Sequence, residues 1–196
     1  MRLYLKLSRA DQLLPWHYQQ NLVGVFHRWL GENIYHDTLS LYSLSWLSGA
    51  KGTAKGLAVE NEALWFIGSP DSDLIKKVVQ GIQENARVAF GMKVKEIIIK
   101  ETPQFPNEIK FNLASPVLVK RKVGDEIVHY SFKDPTANEL ITATLKAKLK
   151  KAGLVDESIT VAFDHENIRA KRKVVTYKGI QNKANYCPVI LKGSSK

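Results

Sequence analysis

His27 and His36, nine residues apart, are the pair whose type and spacing most invite chemistry in this chain. A helical pattern runs into "VFHRWL", and the sequence breaks at "GEN" before "IYHD". On one continuous helix, at about 100° per residue, the two rings would face nearly opposite sides. They can share a site only if the chain folds back after Leu30, and Gly31 and Asn33 are residue types that end helices. Two neighbouring imidazoles suit one reaction well, attack of a ribose 2′-hydroxyl on the adjacent phosphorus of RNA. The products are a cyclic phosphate and a free 5′-hydroxyl. One ring accepts the 2′-proton and the other donates a proton to the leaving oxygen. An imidazole pKa of about 6.5 permits either role near neutrality. A cation close by would stabilise the charge that develops on the phosphate. Neither a metal nor a cofactor is expected.

The remaining histidines carry less. His17 stands beside Trp16 at the start of the helix, His129 lies in the alternating "EIVHYSF", and His165 falls in the turn "FDHEN". There is no HExxH, Walker loop, nucleophile elbow or GxGxxG, so hydrolase, NTPase and dinucleotide readings lack support. A single cysteine, Cys187, excludes an internal disulfide and the multi-cysteine zinc patterns.

Charge indicates the partner. The net charge is +10, and it is uneven: residues 1–107 hold 12 basic and 10 acidic side chains, whereas residues 108–196 hold 17 and 9. The excess sits in "VKRK", with Lys120, Arg121 and Lys122, in "KAKLKK", and in "RAKRK", with Arg169, Lys171, Arg172 and Lys173. Phosphate contacts by such residues release condensed counterions, so a polyanion is the natural ligand. The opening "MRLYLKLSRADQ" alternates like a strand and lacks the features of a signal peptide, and no apolar run is long enough to span a membrane. A cytoplasmic protein with no membrane partner is expected.

These residues need elements to hold them. "RLYLKLS" reads as a strand. "LLPWHYQQNLVGVFHRWL" reads as a turn and helix with Leu22, Phe26, Trp29 and Leu30 on one face. "TLSLYSLSWLS" should be a strand by its period of two, and "SGAKGTAKG" a lysine-bearing loop. "LAVENEALWFIGS" should be a strand, or a hairpin turning at Glu60–Asn61. A helix should follow Ser69-Pro70-Asp71, then a strand in "RVAFGMKVKEIIIKETPQ". That order is the ferredoxin-like, RRM-like plan, in which one face of the sheet packs the helices and the other is open to a ligand. "PQFPNE" reads as a linker. Beyond it, strands in "IKFNLASPVLVKRK" and "EIVHYSF", the helix "DPTANELITATLKAKLKKAG" with a proline near its start and Gly153 at its end, and strands in "ESITVAFDH", "RKVVTYKG" and "NYCPVILKG" suggest a second copy. The fold class expected is therefore α+β with two tandem ferredoxin-like domains, residues 1–102 and 108–196. The second is incomplete at its C-terminus.

Taken in order, "RLYLKL", "LPWHYQQNLVGVFHRWL", the "YH" of "NIYHD", "LYSLSWLSG", "ASPVLVKR" and "YCPVILKG" resemble the CRISPR-associated endoribonucleases that process repeat RNA in precursor transcripts. The resemblance implies tandem ferredoxin-like domains and metal-independent cleavage, with His36 at the position of the usual catalytic histidine. His27 falls where some members carry a tyrosine on the first helix. Some members also place a lysine shortly after the histidine. Ser40 stands there in this chain, with Lys51 or Lys55 as possible substitutes. The family's closing helix and glycine-rich, RNA-contacting loop have no counterpart before Lys196. The partners implied are CRISPR repeat RNA, other CRISPR effector subunits and a second copy of the chain. The competing expectation is a non-cleaving RNA-binding subunit on the same fold. A small-molecule enzyme on this scaffold would rest on fold analogy alone.

Overall fold

The structure, a computed structural model, describes residues 1–32, 39–177 and 179–194. The chain divides into two compact units, Met1–Thr102 and Pro103–Lys196. Among the described residues, no helix is long and apolar enough to cross a membrane.

In the first unit, β1 (Arg2–Leu7) alternates as its sequence predicts, with Leu3, Leu5 and Leu7 fully buried. Then come α1 (Gln19–Leu30), β2 (Ser43–Leu44), β3 (Lys51–Thr53), β4 (Gly56–Ala58), β5 (Ala63–Gly68), α2 (Ser72–Glu84) and β6 (Val94–Lys100). The main sheet is antiparallel in the order β2-β5-β1-β6, the ferredoxin-like arrangement. Helix α1 turns Leu22, Val25, Phe26, Trp29 and Leu30 into the core, while α2 contributes Leu74, Ile75, Val78 and Ile82. Asp71 starts α2 by accepting the N–H groups of Asp73 at 2.9 Å and Leu74 at 3.1 Å.

The two helices cross closely at Gly81. A Cβ there would lie 2.2 Å from the Trp29 carbonyl oxygen, so only glycine fits. The Trp29 indole donates to the Asn85 carbonyl at 2.8 Å, and the Arg28 guanidinium donates to the Arg87 carbonyl. The end of α1 is thus tied to the end of α2.

Two expectations for this unit need correction. The alternating run before Gly49 forms a continuous ladder at Ser43–Leu44 and returns to β5 at a single bridge, Ser48 with Leu64. Its pairing with β5 is interrupted because the Ser45 hydroxyl, instead of a carbonyl, accepts the Phe66 N–H at 2.8 Å. The lysine-bearing stretch is not a loop but the hairpin β3–β4. Leu14 and Leu57 exchange backbone hydrogen bonds at 2.8 Å, and a Cβ on Gly56 would come within 2.3 Å of the Leu14 oxygen. The glycine permits that approach. Glu60–Asn61 does turn the chain, but between strands of different sheets.

The second unit contains β7 (Glu108–Phe111), β8 (Lys120–Val123), β9 (Glu126–His129), α3 (Pro135–Lys151), β10 (Thr160–Phe163), β11 (Lys171–Tyr177), β12 (Ile180–Tyr186) and β13 (Val189–Lys192). Asp134 caps α3 through the Thr136 N–H at 2.9 Å, with Pro135 in the first turn. The sheet β10-β13-β7 and α3 reproduce three strands and one helix of the first unit's plan. Two hairpins are inserted into it: β8–β9 between the first strand and the helix, and β11–β12 between the second and third strands.

Strand β12 is not anticipated by the sequence reading, because "IQNKANY" is polar. Its inward positions are Asn182, Ala184 and Asn185, all buried. The Asn185 side chain is completely buried. It accepts the Phe132 N–H and donates to the Tyr130 carbonyl, each at 3.0 Å. Its backbone exchanges hydrogen bonds with Val117 at 2.7 and 2.8 Å. One asparagine therefore joins β12 to both ends of the β8–β9 hairpin.

Candidate functional site

His27 lies in the last turn of α1, directly after the buried Phe26, and its ring is half-buried at the edge of the apolar stripe. Its Nε2 is 3.4 Å from the Tyr42 hydroxyl. Phe26 packs on both rings, with centroids 5.4 Å from His27 and 4.6 Å from Tyr42. Tyr42 is held from the other side by its neighbours. The Ser69 hydroxyl donates to the Leu41 carbonyl at 3.0 Å, and Ser43 pairs with Gly68 on β5. Sheet and helix together thus fix the spacing of phenol and imidazole.

Gly31 follows with a φ of 63°, a left-handed conformation suited to glycine, and ends the helix as expected. His36 lies outside the described residues, as does the chain reversal expected to bring it back to His27. Tyr42 is the residue that sequence reasoning missed. It is distant in sequence, and its place in an alternating hydroxyl-rich run gives no sign of contact with α1.

The two lysines of the first unit are placed differently from each other. Lys51, on β3, forms an ion pair with Glu60 at 2.7 Å, and that carboxylate raises its pKa above the ordinary lysine value. Lys55 sits exposed at the hairpin turn. The hairpin packs beside the start of α1, where a Cβ on Gly52 would lie 3.7 Å from the Trp16 ring. His27 is nine residues beyond Tyr18, roughly 13 Å along the helix at 1.5 Å per residue. This counts against either lysine as the cation beside His27.

In the second unit, all the other candidates fall on the inserted hairpins or beside them. Lys120, Arg121 and Lys122 form β8, Lys171, Arg172 and Lys173 begin β11, and Arg169 precedes it. The Lys120 ammonium donates to the Asn182 side chain at 3.3 Å, and Lys173 stands 5.6 Å from the Tyr186 ring centre. Lys122 is 3.7 Å from Asp125 in its own turn. Framework lysines of this unit are neutralised: Lys110 by Asp164, Lys146 by Glu157 and Lys192 by Glu108. Among the described residues, no salt bridge engages Lys120, Arg121, Arg169, Lys171 or Arg172. Lys183, exposed on β12 opposite Val174, adds a charge that the sequence reading did not single out.

Other chemistry is weakly served. Burial pushes the Cys187 thiol up to about 11, and it donates to the Asp164 carbonyl at 3.3 Å. It is a protonated structural thiol near neutrality. Among the described residues, no group of three or more His, Cys, Asp or Glu is arranged to hold a metal ion.

The family profile described as "CRISPR associated protein Cas6, C-terminal" matches residues 99–196, half of the chain. The chain belongs to the Cas6 family. No curated protein matches it in sequence. Among solved structures it is similar to a Cas6-related gene product from Pyrococcus furiosus, with a TM-score of 0.84 and 17% identity over 100% of this chain and 88% of that one. It is also similar to a RAMP protein binding different RNA substrates, with a TM-score of 0.82 and 16% identity over 99% and 88% of the two chains. A structure described as CRISPR associated protein Cas6 gives 0.78 and 17% over the same shares. At these identities the likenesses to solved structures establish the fold. The Cas6 match adds that both the βα-plan and its hairpin insertions belong to a CRISPR-associated chain.

Proposed function

We propose that this chain binds CRISPR repeat RNA and cuts it without a metal, using His27 and His36 as the acid–base pair. The 2′-oxygen attacks the adjacent phosphorus, the 5′-oxygen leaves, and the two imidazoles exchange the protons. The observation that carries the reading is the half-buried His27 ring at the carbonyl end of α1, 3.4 Å from the Tyr42 hydroxyl and nine residues before His36. Membership of the Cas6 family supports it, as does likeness to a Cas6 product complex at a TM-score of 0.63 and 15% identity. The unneutralised basic residues of β8 and β11 would hold the RNA backbone.

The test is incubation of repeat RNA with the protein in EDTA. Products carrying a cyclic phosphate and a 5′-hydroxyl are expected. Replacing either histidine by alanine should slow cleavage by about 10²-fold or more, the scale of a missing general acid or base. No cutting by the intact protein, or normal rates in His36→Ala, would refute the assignment. The second reading is a non-cleaving RNA-binding subunit. It draws on the basic hairpins alone, and on likeness to a RAMP protein that binds RNA. It is the reading to keep if binding is found without products.

A further inference from the structure

The two units cover their sheets unequally. In the first, α1 and α2 pack against each other at Gly81 and Trp29, and α1 buries five side chains and α2 four. In the second, α3 is the one helix among the described residues, and of its 17 residues only Ala137 is buried. It is pinned over the edge strand β10, where the Thr142 hydroxyl donates to the Val161 carbonyl at 3.1 Å and accepts the Val161 N–H at 2.9 Å. The apolar stripe beside that anchor, Leu140, Ile141 and Leu145, is only half-buried.

That stripe lines a cavity of about 330 Å³. Val189 and Leu191 of β13 face it from the sheet, and Leu113, Val117 and Val119 from the connection between β7 and β8. The connection is firmly held. Val117 exchanges backbone hydrogen bonds with Asn185 at 2.7 and 2.8 Å, and the Val119 carbonyl accepts the Tyr130 N–H at 2.9 Å. The walls are therefore set before anything binds. Among these apolar side chains stands Lys148, half-buried, one turn beyond Leu145 on the same stripe. Burial lowers its pKa below the ordinary lysine value. Among the described residues, no carboxylate and no hydrogen-bond acceptor meets its ammonium. Exposed Lys120 and Arg121 stand at the rim, and no described acidic residue lines the cavity.

We infer that this groove is a docking site for an acidic amphipathic helix of a partner protein, with aliphatic side chains of that helix in the cavity and one of its carboxylates on Lys148. Shape points to a helix. In the first unit the place beside α1, the counterpart of α3, is taken by the amphipathic α2. An open stripe at helical spacing accepts the ridge of a second helix in the same way. Charge points to acid. Three cations without a carboxylate surround an apolar floor, and a half-buried ammonium gains more from a carboxylate than a solvated one does. RNA would leave the leucine and valine walls unmatched. A second copy of the chain is also poorly suited, because its own helices expose lysines, Lys76 and Lys77 on α2 and Lys150 and Lys151 on α3.

The experiment titrates the full chain with a fluorescent synthetic peptide of leucine, alanine and glutamate, its leucines at helical spacing and its glutamates flanking them. The controls are a scrambled peptide of equal composition and charge, and the same helix with glutamine for glutamate. The acidic helix should bind, and the scrambled peptide should bind about tenfold more weakly or not at all. Lys148→Met keeps the length of the side chain and removes its charge. It should weaken the acidic helix about tenfold, the scale of one charge-assisted hydrogen bond, and leave the glutamine helix and RNA affinity unchanged. Amide shifts on titration should concentrate in α3, β13 and residues 113–121. No binding, equal binding of the scrambled peptide, or shifts confined to other surfaces would overturn the site. Two further results would also overturn it: a dimer of the chain that Lys148→Met disperses, and RNA binding lost in Lys148→Met while no peptide binds. None of these outcomes decides whether the chain cuts RNA, so this inference and the proposed function fail separately.

Discussion

At the scale of single residues, Tyr42 is the most informative finding. Its hydroxyl meets His27 Nε2 at 3.4 Å, and the ring shares Phe26 with the imidazole. If His27 works as proposed, Tyr42 orients it without necessarily touching the RNA. Tyr42→Phe removes the hydroxyl and keeps the packing, so the cleavage rate should fall by about three- to tenfold, the worth of one ordinary hydrogen bond. RNA affinity should stay within about twofold. Single-turnover kinetics beside equilibrium binding checks both, and rescue of the rate at a shifted pH would mark an orienting role. His27 was legible because a polar ring beside an apolar stripe is visible in one window of sequence. Tyr42 was not, because its contact is made across fifteen residues and depends on where β5 holds the chain.

At the scale of elements, regular apolar spacing made much of the structure readable. Three alternating leucines announce β1, and Ser69-Pro70-Asp71 announces α2. Strand β12 breaks this logic. Its interior is asparagine, and a buried polar side chain is tolerated only when its hydrogen bonds are met inside the protein. Asn185 meets that condition through Phe132, Tyr130 and Val117. Asn185→Ala leaves the Phe132 N–H and the Tyr130 carbonyl without the partners they have now. The cost should be about 2–6 kcal/mol, from two orphaned groups at roughly 1–3 kcal/mol each. Denaturant unfolding checks it, and amide exchange should quicken first in β8, β9 and β12. The glycines of "SGAKGTAKG" misled for a related reason. Glycine marks flexible loops and close backbone approach alike, and only the neighbouring Leu14 strand-like segment decides between them.

At the scale of the whole molecule, the chain's positive charge is partitioned in two ways. The second unit holds the larger excess, as counting along the sequence already showed. Counting could not reveal which charges are cancelled. Within that unit the framework lysines meet carboxylates, whereas among the described residues no salt bridge engages Lys120, Arg121, Lys171 or Arg172. Changing Lys120, Arg121, Lys171 and Arg172 together to glutamine should therefore weaken RNA binding for all sequences alike. The slope of log affinity against log salt should become shallower by about 3, at roughly 0.7–0.9 for each phosphate that is no longer held. Changing Lys110, Lys146 and Lys192 to glutamine instead should alter the slope far less. Binding isotherms at several salt concentrations compare the two variants.

The hairpins that bear those charges interrupt the βα-plan without belonging to its sheet. Their outward side chains can consequently be exchanged while the leucines, valines and buried asparagines beneath stay as they are. A lineage could thus retune its grip on a changing nucleic acid, strengthening or loosening it in small steps, with little penalty to the folded scaffold that carries it.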